Sequence, residues 1–144
     1  MPYVVSASRF VPAPAAAIFD LLADPANHPL IDGSGSVKAV GASAPSRLSL
    51  GATFGMDMKV GVPYKITNTV VEFEEDHLIA WRHFGGHVWR YRLGPAEGGT
   101  EVTEEFDWTN ARSRLFLQLM GYPEKNRKAM VRTLERLDEH FRTA

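Results

Sequence analysis

The sequence has no cysteine and no long apolar run, and each absence removes a class of protein. Because none of the 144 residues is cysteine, disulfide frameworks, thiolate zinc sites and cysteine nucleophiles are excluded. No run of about 18 apolar residues occurs, which excludes an apolar membrane span. The amino-terminal segment also lacks the basic stretch of a secretory signal peptide. We therefore expect a cytoplasmic protein.

A strong net charge and common catalytic motifs are also missing. The formal net charge of −1 argues against a dedicated nucleic-acid or anionic-membrane partner. The segment Gly33-Ser34-Gly35-Ser36 is followed by a strand pattern and not by a helix, so it does not form a phosphate cradle. Neither a nucleophile elbow nor a His-Glu-x-x-His motif is present. The sequence predicts no cofactor, and it gives no support for hydrolase or nucleotide chemistry.

The periodicity that is present predicts one α+β domain over residues 1–144. Residues 3–10 alternate as a strand. Pro14 begins an amphipathic helix, and Asp24-Pro25 starts a second, very short one. Further strand patterns follow at about 36–41, 48–60, 64–74, 78–84, 87–94 and 100–108. The remainder is helical, with a piece over 111–120 and a long amphipathic helix over 123–142.

Strand register determines which side chains share a face. A three-residue loop over 84–86 pairs Trp81 with Trp89 and His83 with His87, and it leaves Arg90 on the outer face. Alternation places two further sets on the inner, apolar face: Phe54, Met56, Met58 and Val60; and Val102, Glu104, Phe106 and Trp108. For 64–73, two inner sets remain open, Ile66/Asn68/Val70 and Val71/Phe73, unless a bulge joins them.

The order of these elements and several local strings resemble one known superfamily. The strings are 14–25 (PAAAIFDLLADP), 64–68 (YKITN), 79–81 (IAW) and 98–103 (GGTEVT). They resemble the START-like, helix-grip superfamily, also called SRPBCC or polyketide cyclase/dehydrase and lipid transport proteins. The resemblance covers nearly the whole chain. It implies a curved antiparallel sheet of about seven strands around the carboxy-terminal helix, with a cavity between them.

In such a fold, the inner-face side chains become cavity walls. The residues we expect to contact a ligand are Phe54, Met56, Met58, Trp81, Trp89, Tyr91, Phe106, Trp108, Leu119, Tyr122, Asn126 and Met130. Tyr122 and Asn126 lie near the helix break and could orient a polar ligand group, with a capping or turn role as the alternative. Flexible methionines tolerate varied ligand shapes. The alternative for the aromatic and methionine side chains is ordinary core packing.

Glu104 and His83 are the predicted catalytic residues. A carboxyl on an apolar face should have a raised pKa, which favours a general acid or a partner for a ligand hydroxyl. The alternatives for Glu104 are pairing with a Tyr or Trp donor, or a bulge that turns it to water. His83 and His87 with Glu104 would form a possible metal set, but turn histidines are often just solvated, and no metal is predicted. His28 is expected at the edge of the pocket mouth.

Three functions are compatible with the sequence. The first is a carrier or sensor that binds a small hydrophobic molecule, which is aromatic, polyketide-like or a lipid. The second is a polyketide aromatase/cyclase or dehydratase in which Glu104 and His83 move protons. The third is a protein-interaction module without a ligand. We expect a small-molecule partner and no nucleic acid, and an exposed sheet edge makes a homodimer possible.

Overall fold

The computed structural model describes residues 3–34, 37–40 and 45–143 as a seven-stranded antiparallel sheet that packs against a long helix. The strands are β1 (Val4–Val11), β2 (Val37–Val40), β3 (Thr53–Val60), β4 (Val62–Glu74), β5 (Leu78–His83), β6 (Val88–Ala96) and β7 (Gly99–Asp107). The helices are α1 (Ala15–Ala23), α2 (His28–Ile31), α3 (Arg114–Leu119) and α4 (Tyr122–Thr143). The sheet order is β1-β7-β6-β5-β4-β3-β2. The predicted α+β helix-grip fold is confirmed.

The two helices after β1 form where the proline and aspartate signals predict them. α1 follows Pro14 and buries one face that includes Ile18, Phe19 and Leu22. The Asp24 carboxylate accepts a hydrogen bond from the Ala26 N–H at 3.0 Å. This cap begins a single 3₁₀ turn that leads directly into α2.

The third strand is shorter than the pattern predicts. It begins at Thr53 and not near residue 48. Leu48 is fully buried, and its N–H donates to the Ala23 carbonyl at 2.7 Å. Because Leu48 packs at the end of α1, the segment that follows it turns before it enters the sheet. The side chain of Val60, which alternation places on the inner face, lies outside the described part of the structure.

A β-bulge in β4 reconciles the two inner faces that the sequence left open. The register to β5 shifts between Val70 and Glu72, so Val71 is the extra residue. Asn68 and Val70 are buried before the bulge, and Phe73 packs on the same core after it. The set Ile66/Asn68/Val70 therefore faces inward before the bulge, and Phe73 of the second set faces inward after it.

The β5–β6 hairpin has the predicted register. Trp81 pairs with Trp89, and the His83 N–H donates to the His87 carbonyl at 2.9 Å. Gly86 closes the three-residue loop with φ of 95°, a conformation that favours glycine. The inner faces of β5, β6 and β7 are therefore aligned as alternation predicts.

Arg90 lies on the outer face, as predicted, but it is buried among carboxylates. Its guanidinium donates to Glu72 at 2.8 Å, to Glu105 at 2.9 Å and to Asp107 at 3.4 Å. Glu72 is on β4 and Arg90 on β6, and the residue between them on β5 is the small, fully buried Ala80. The ion cluster therefore links β4, β6 and β7 across β5.

α4 packs against β1 and β7 with one apolar face, as predicted for an amphipathic helix. Met130, Leu134 and Leu137 are buried. Asp138 is also buried and accepts from Arg9 of β1 at 2.7 Å and from Arg142 at 2.6 Å. Burial alone would raise the pKa of Asp138, but these hydrogen bonds outweigh it and hold the pKa below its usual value. Within the described ranges, no helix has both the length and the apolarity to cross a bilayer.

Candidate functional site

A cavity of about 700 Å³ lies between the inner face of the sheet and the helices. β3 to β7 supply one side of it, and α2 with the following loop, α3 and the first half of α4 supply the other. The loop after α2 sits directly on α4: the Gly33 N–H donates to Thr133 Oγ1 at 2.8 Å. A side chain at position 33 would overlap the α4 backbone, so glycine permits this close contact.

Exposed apolar side chains line the outer part of the cavity. They come from three places: the β3–β4 hairpin, the β5–β6 loop and α3. They are Val62, Tyr64, Phe84 and Phe116. Tyr64 of β4 and Tyr122 at the start of α4 line the same cavity, and partial burial of Tyr64, followed by repulsion from Tyr122, raises the pKa of Tyr64. This opening is therefore bounded by apolar groups from separate elements.

The inner wall combines aromatic rings with a few polar groups. Trp81 is buried, with its ring centroid 5.9 Å from that of Tyr91, and Trp89 lies 4.9 Å from Phe106. Met56 and Met58 line the β3 side. The described lining residues with polar side chains that are themselves buried are His28, Asn68, Tyr91, Glu104 and Thr133. An apolar wall with few polar groups is typical of a small-molecule site.

Glu104 lies on this wall, directly opposite Tyr91 in the β6–β7 register. Burial raises the pKa of Glu104 to about 8; a hydrogen bond with Tyr91 opposes the shift, and the charge of Asp32 adds to it. Burial and the neighbouring Glu104 also raise the pKa of Tyr91 well above its usual value. Glu104 Oε1 has no hydrogen-bond partner among the described residues. At neutral pH the site therefore holds a neutral carboxyl group with one free oxygen.

His83 and His87 stack face to face at the β5–β6 loop, with ring centroids 4.3 Å apart. Burial lowers the pKa of both rings, and the proximity of His83 helps lower that of His87 to about 4. His83 Nδ1 accepts the Gly85 N–H at 3.0 Å. This contact requires an unprotonated Nδ1, so the neutral ring carries its hydrogen on Nε2.

His28 is buried inside the fold, farther in than the expected position at the mouth. Its ring stacks on Trp81 at 4.7 Å, and its Nε2 lies 2.9 Å from the Leu22 carbonyl oxygen. Because a carbonyl only accepts, Nε2 carries the hydrogen. Burial lowers the pKa of His28. Across the described residues, no three His, Cys, Asp or Glu side chains form a group that could hold a metal ion.

Most of the predicted contact residues share this cavity. Those that line it are Met56, Met58, Trp81, Trp89, Tyr91, Phe106, Tyr122, Asn126 and Met130, together with Glu104 and His83. Whether they bind a ligand stays a prediction.

Three predicted contact residues lie elsewhere. Phe54 is buried behind the wall, where its ring packs on Trp81 and His28. Trp108 packs edge-on against Tyr3 at the end of the sheet. Leu119 is 76% exposed on α3 and is not among the residues that line the cavity.

The cavity lining also includes polar residues that were not among the predicted site residues, among them Asn68, Asp32 and Thr133. Asn68 is buried, and its Oδ1 has no partner among the described residues. The sequence leaves open which face of β4 points inward, so it does not single out Asn68 as a site residue. A polar residue between the apolar residues Ile66 and Val70 of one face is the feature that could have indicated it. Asp32 lies in the loop after α2, where its carboxylate accepts from Ser34 and from the Val37 N–H at 3.0 Å. No local pattern predicts that this loop reaches the cavity.

Curated relatives match nearly the whole chain. The chain is 36% identical over 148 aligned residues to "Uncharacterized protein Rv0088" of Mycobacterium tuberculosis strain H37Rv, and 35% identical to "Uncharacterized protein MT0096" of strain CDC 1551. Each alignment covers 97% of this chain and 65% of the relative. The chain therefore spans about two thirds of the length of these relatives.

Solved structures and a family model agree on the fold. The KanY protein superposes with a TM-score of 0.76 at 17% identity, covering 96% of this chain and 97% of its own. Protein CV1439 from Chromobacterium violaceum gives 0.71 at 14% identity, covering 98% of each chain. The model of the family described as "Polyketide cyclase / dehydrase and lipid transport" matches residues 3–142. The chain belongs to this family.

Proposed function

We propose that the protein binds one small hydrophobic molecule, aromatic, polyketide-like or lipid, and acts as its carrier or sensor. The observation that carries the proposal is the cavity of about 700 Å³, because small-molecule sites occupy about 300–1,000 Å³ and are mostly apolar. Protein interiors otherwise pack as densely as organic crystals. A space of this size inside the fold therefore favours a ligand over a solid core.

Displacement of a neutral, environment-sensitive dye tests this proposal. Nile red should become fluorescent on binding the protein, and neutral aromatic compounds should displace it with micromolar dissociation constants. Nile red is chosen because it carries no charge. If neither Nile red nor any aromatic compound binds at micromolar protein, the proposal fails, and a protein-interaction module becomes the better interpretation.

Filling the cavity provides the matched mutational test. Met56→Trp and Met130→Trp each enlarge a side chain that lines the cavity, so the new ring can occupy free space. We expect a loss of dye affinity of at least tenfold with little loss of stability, whereas overpacking a solid core costs about 1–3 kcal/mol. The control is Val131→Trp, because Val131 is 40% exposed on α4. Strong destabilisation at both methionines without any binding would favour the solid core.

A second candidate, a polyketide cyclase or dehydratase, is favoured by the neutral Glu104 carboxyl with its unpartnered oxygen. Such a group can protonate a departing hydroxyl. His83 is a weak partner base in the observed tautomer, because Nε2 holds the hydrogen and Nδ1 is occupied by Gly85. An aryl β-hydroxy ketone offers a direct assay, since loss of water gives an enone that absorbs in the near ultraviolet. Turnover that Glu104→Gln abolishes would support this candidate, and absence of turnover would leave the carrier.

A further inference from the structure

The cavity carries acidic groups and no basic side chain among its described lining residues. Asp32 and Glu104 line it, whereas no lysine or arginine does. The three lining histidines, His28, His83 and His87, are neutral at neutral pH because burial lowers the pKa of each. A ligand carboxylate would therefore lose its water without gaining a cationic partner, which is strongly unfavourable.

Two buried oxygens in the same cavity lack a partner. They are Glu104 Oε1 on β7 and Asn68 Oδ1 on β4. Buried polar atoms are almost always hydrogen-bonded, and each exception requires an explanation. The strands β6 and β5 lie between them, and Glu104 aligns through Tyr91 with Ile79 of β5, whereas Asn68 pairs with His83, four residues farther along β5. The backbones that carry the two side chains are therefore separated by three strand spacings of about 4.8 Å across the sheet and by about 13 Å along it. One small polar group cannot reach both.

The surroundings of each oxygen favour a hydroxyl as its partner. A hydroxyl both donates and accepts, so it matches a neutral carboxyl and either orientation of an asparagine amide. The rings of Trp81 and Trp89 lie on the intervening strands, which provides an apolar surface between the two polar positions. An aromatic or polycyclic frame with hydroxyl groups at its ends fits this pattern.

We propose that the cavity selects uncharged, hydroxyl-bearing aromatic molecules through Glu104 and Asn68, and that it excludes ligands carrying a carboxylate. This inference rests on the proposed binding function. It names a class of ligand within it, since hydroxylated aromatic compounds satisfy the two oxygens and fatty acids do not.

Three naphthalenes of nearly equal size test the inference at pH 7. They are 2-naphthol, 2-methoxynaphthalene, which lacks the hydrogen-bond donor, and 2-naphthoate, which is anionic. We expect 2-naphthol to displace Nile red with an affinity about tenfold higher than 2-methoxynaphthalene, the effect of one hydrogen bond to a buried atom that otherwise has no partner. We expect 2-naphthoate to bind most weakly.

Variants then assign the preference to residues. Because 2-naphthol has one hydroxyl group, it contacts only one of the two oxygens, and the leucine variant at that residue, Glu104→Leu or Asn68→Leu, should lower the affinity for 2-naphthol about tenfold. Both variants should leave the affinity for 2-methoxynaphthalene within threefold. Glu104→Gln, which retains a donor and an acceptor, should restore 2-naphthol binding. The control is Glu101→Leu, an exposed glutamate on the same strand. All variants are compared only after circular dichroism shows native helix and sheet content.

Different failures have different meanings. Equal affinity for 2-naphthol and 2-methoxynaphthalene, or an affinity for 2-naphthoate as high as for 2-naphthol, would overturn the inference and leave hydrophobic binding intact. A preference for 2-naphthol that neither leucine variant reduces would also overturn it. No binding of Nile red or of any naphthalene would overturn the binding proposal and the inference together.

Discussion

At the residue scale, the buried carboxyl of Glu104 links stability to pH. In the folded protein its pKa is about 8, against an ordinary value of 4.5. Between these values the folded state binds one proton more than the unfolded chain. The free energy of unfolding therefore falls as pH rises, by up to about 1.4 kcal/mol per pH unit, and the loss is complete above pH 8.

Glu104→Gln should remove this pH dependence. The difference in stability between the variant and the wild type should shift in favour of the variant as pH rises from about 5 to 8, measured by urea unfolding with tryptophan fluorescence. Parallel stability curves would show that Glu104 titrates normally.

Titration of the cavity histidines makes the free energy of unfolding rise with pH, which is opposite to the effect of Glu104. This contribution is the same in the wild type and in Glu104→Gln. Burial holds the pKa of His28, His83 and His87 below 6.5. Because the unfolded chain takes up these protons first, the stability from neutral imidazoles is present above about pH 6.5 and is lost as pH falls toward 4. The difference between the free energies of unfolding of the wild type and the variant therefore reports only the titration of the Glu104 carboxyl group.

At the element scale, alternation predicted most of the sheet because it is a local property. Each side chain of β7 faces the side that a period of two assigns to it, and the loop glycine fixed the β5–β6 pairing. The bulge at Val71 was less predictable, since it depends on how β4 matches β5 on both sides of one residue. The start of β3 was missed because Leu48 packs on a distant helix end.

The ion cluster around Arg90 could not be predicted from the sequence of its own strand either, because it depends on a small residue on a neighbouring strand. Arg90 reaches Glu72 only across Ala80. Hydrogen bonding by Arg90 lowers the pKa of Glu72, so this carboxylate remains charged beside the cation. Removal of the guanidinium would leave three carboxylates close together on the outer face.

Arg90→Leu should therefore destabilise the protein by about 3 kcal/mol at pH 7, the lower end of the range for removing one partner of a buried ion pair, because the Glu72 side chain is 35% exposed. The difference in the free energy of unfolding between the variant and the wild type should narrow as pH falls below 4.5, the ordinary value for glutamate, through the lowered pKa of Glu72. The matched control is Arg92→Leu, whose side chain is 54% exposed and should contribute less than about 1 kcal/mol. Thermal and urea unfolding would measure both, and equal effects of the two substitutions would contradict this account of the cluster.

At the scale of the whole molecule, the sequence predicted the composition of the cavity wall better than its extent. Phe54 and Trp108 share the inner face of the sheet with cavity residues, yet neither lines the cavity. Phe54 packs behind Trp81, and Trp108 packs against Tyr3 at the end of the sheet. Which part of a face stays open depends on where the helices rest on the sheet. Contacts between segments distant in sequence, such as the hydrogen bond between Gly33 and Thr133, determine the position of the helices. The hydrophobic periodicity of the sequence does not predict such contacts.

The hollow fold gives α4 two unlike halves. Tyr122, Asn126 and Met130 face the cavity, whereas Leu134 and Leu137 pack in the core and Asp138 is held by Arg9. Local opening costs least where few buried contacts support the backbone. The amide hydrogens of residues 126–130, which lie beyond the first turn of α4, should therefore exchange with deuterium at least tenfold faster than those of 134–141, as measured by native-state exchange and mass spectrometry. Saturating 2-naphthol should slow the first group and not the second, so that the exchange rate of one helical segment reports whether the cavity is occupied; uniform protection along α4 would contradict this.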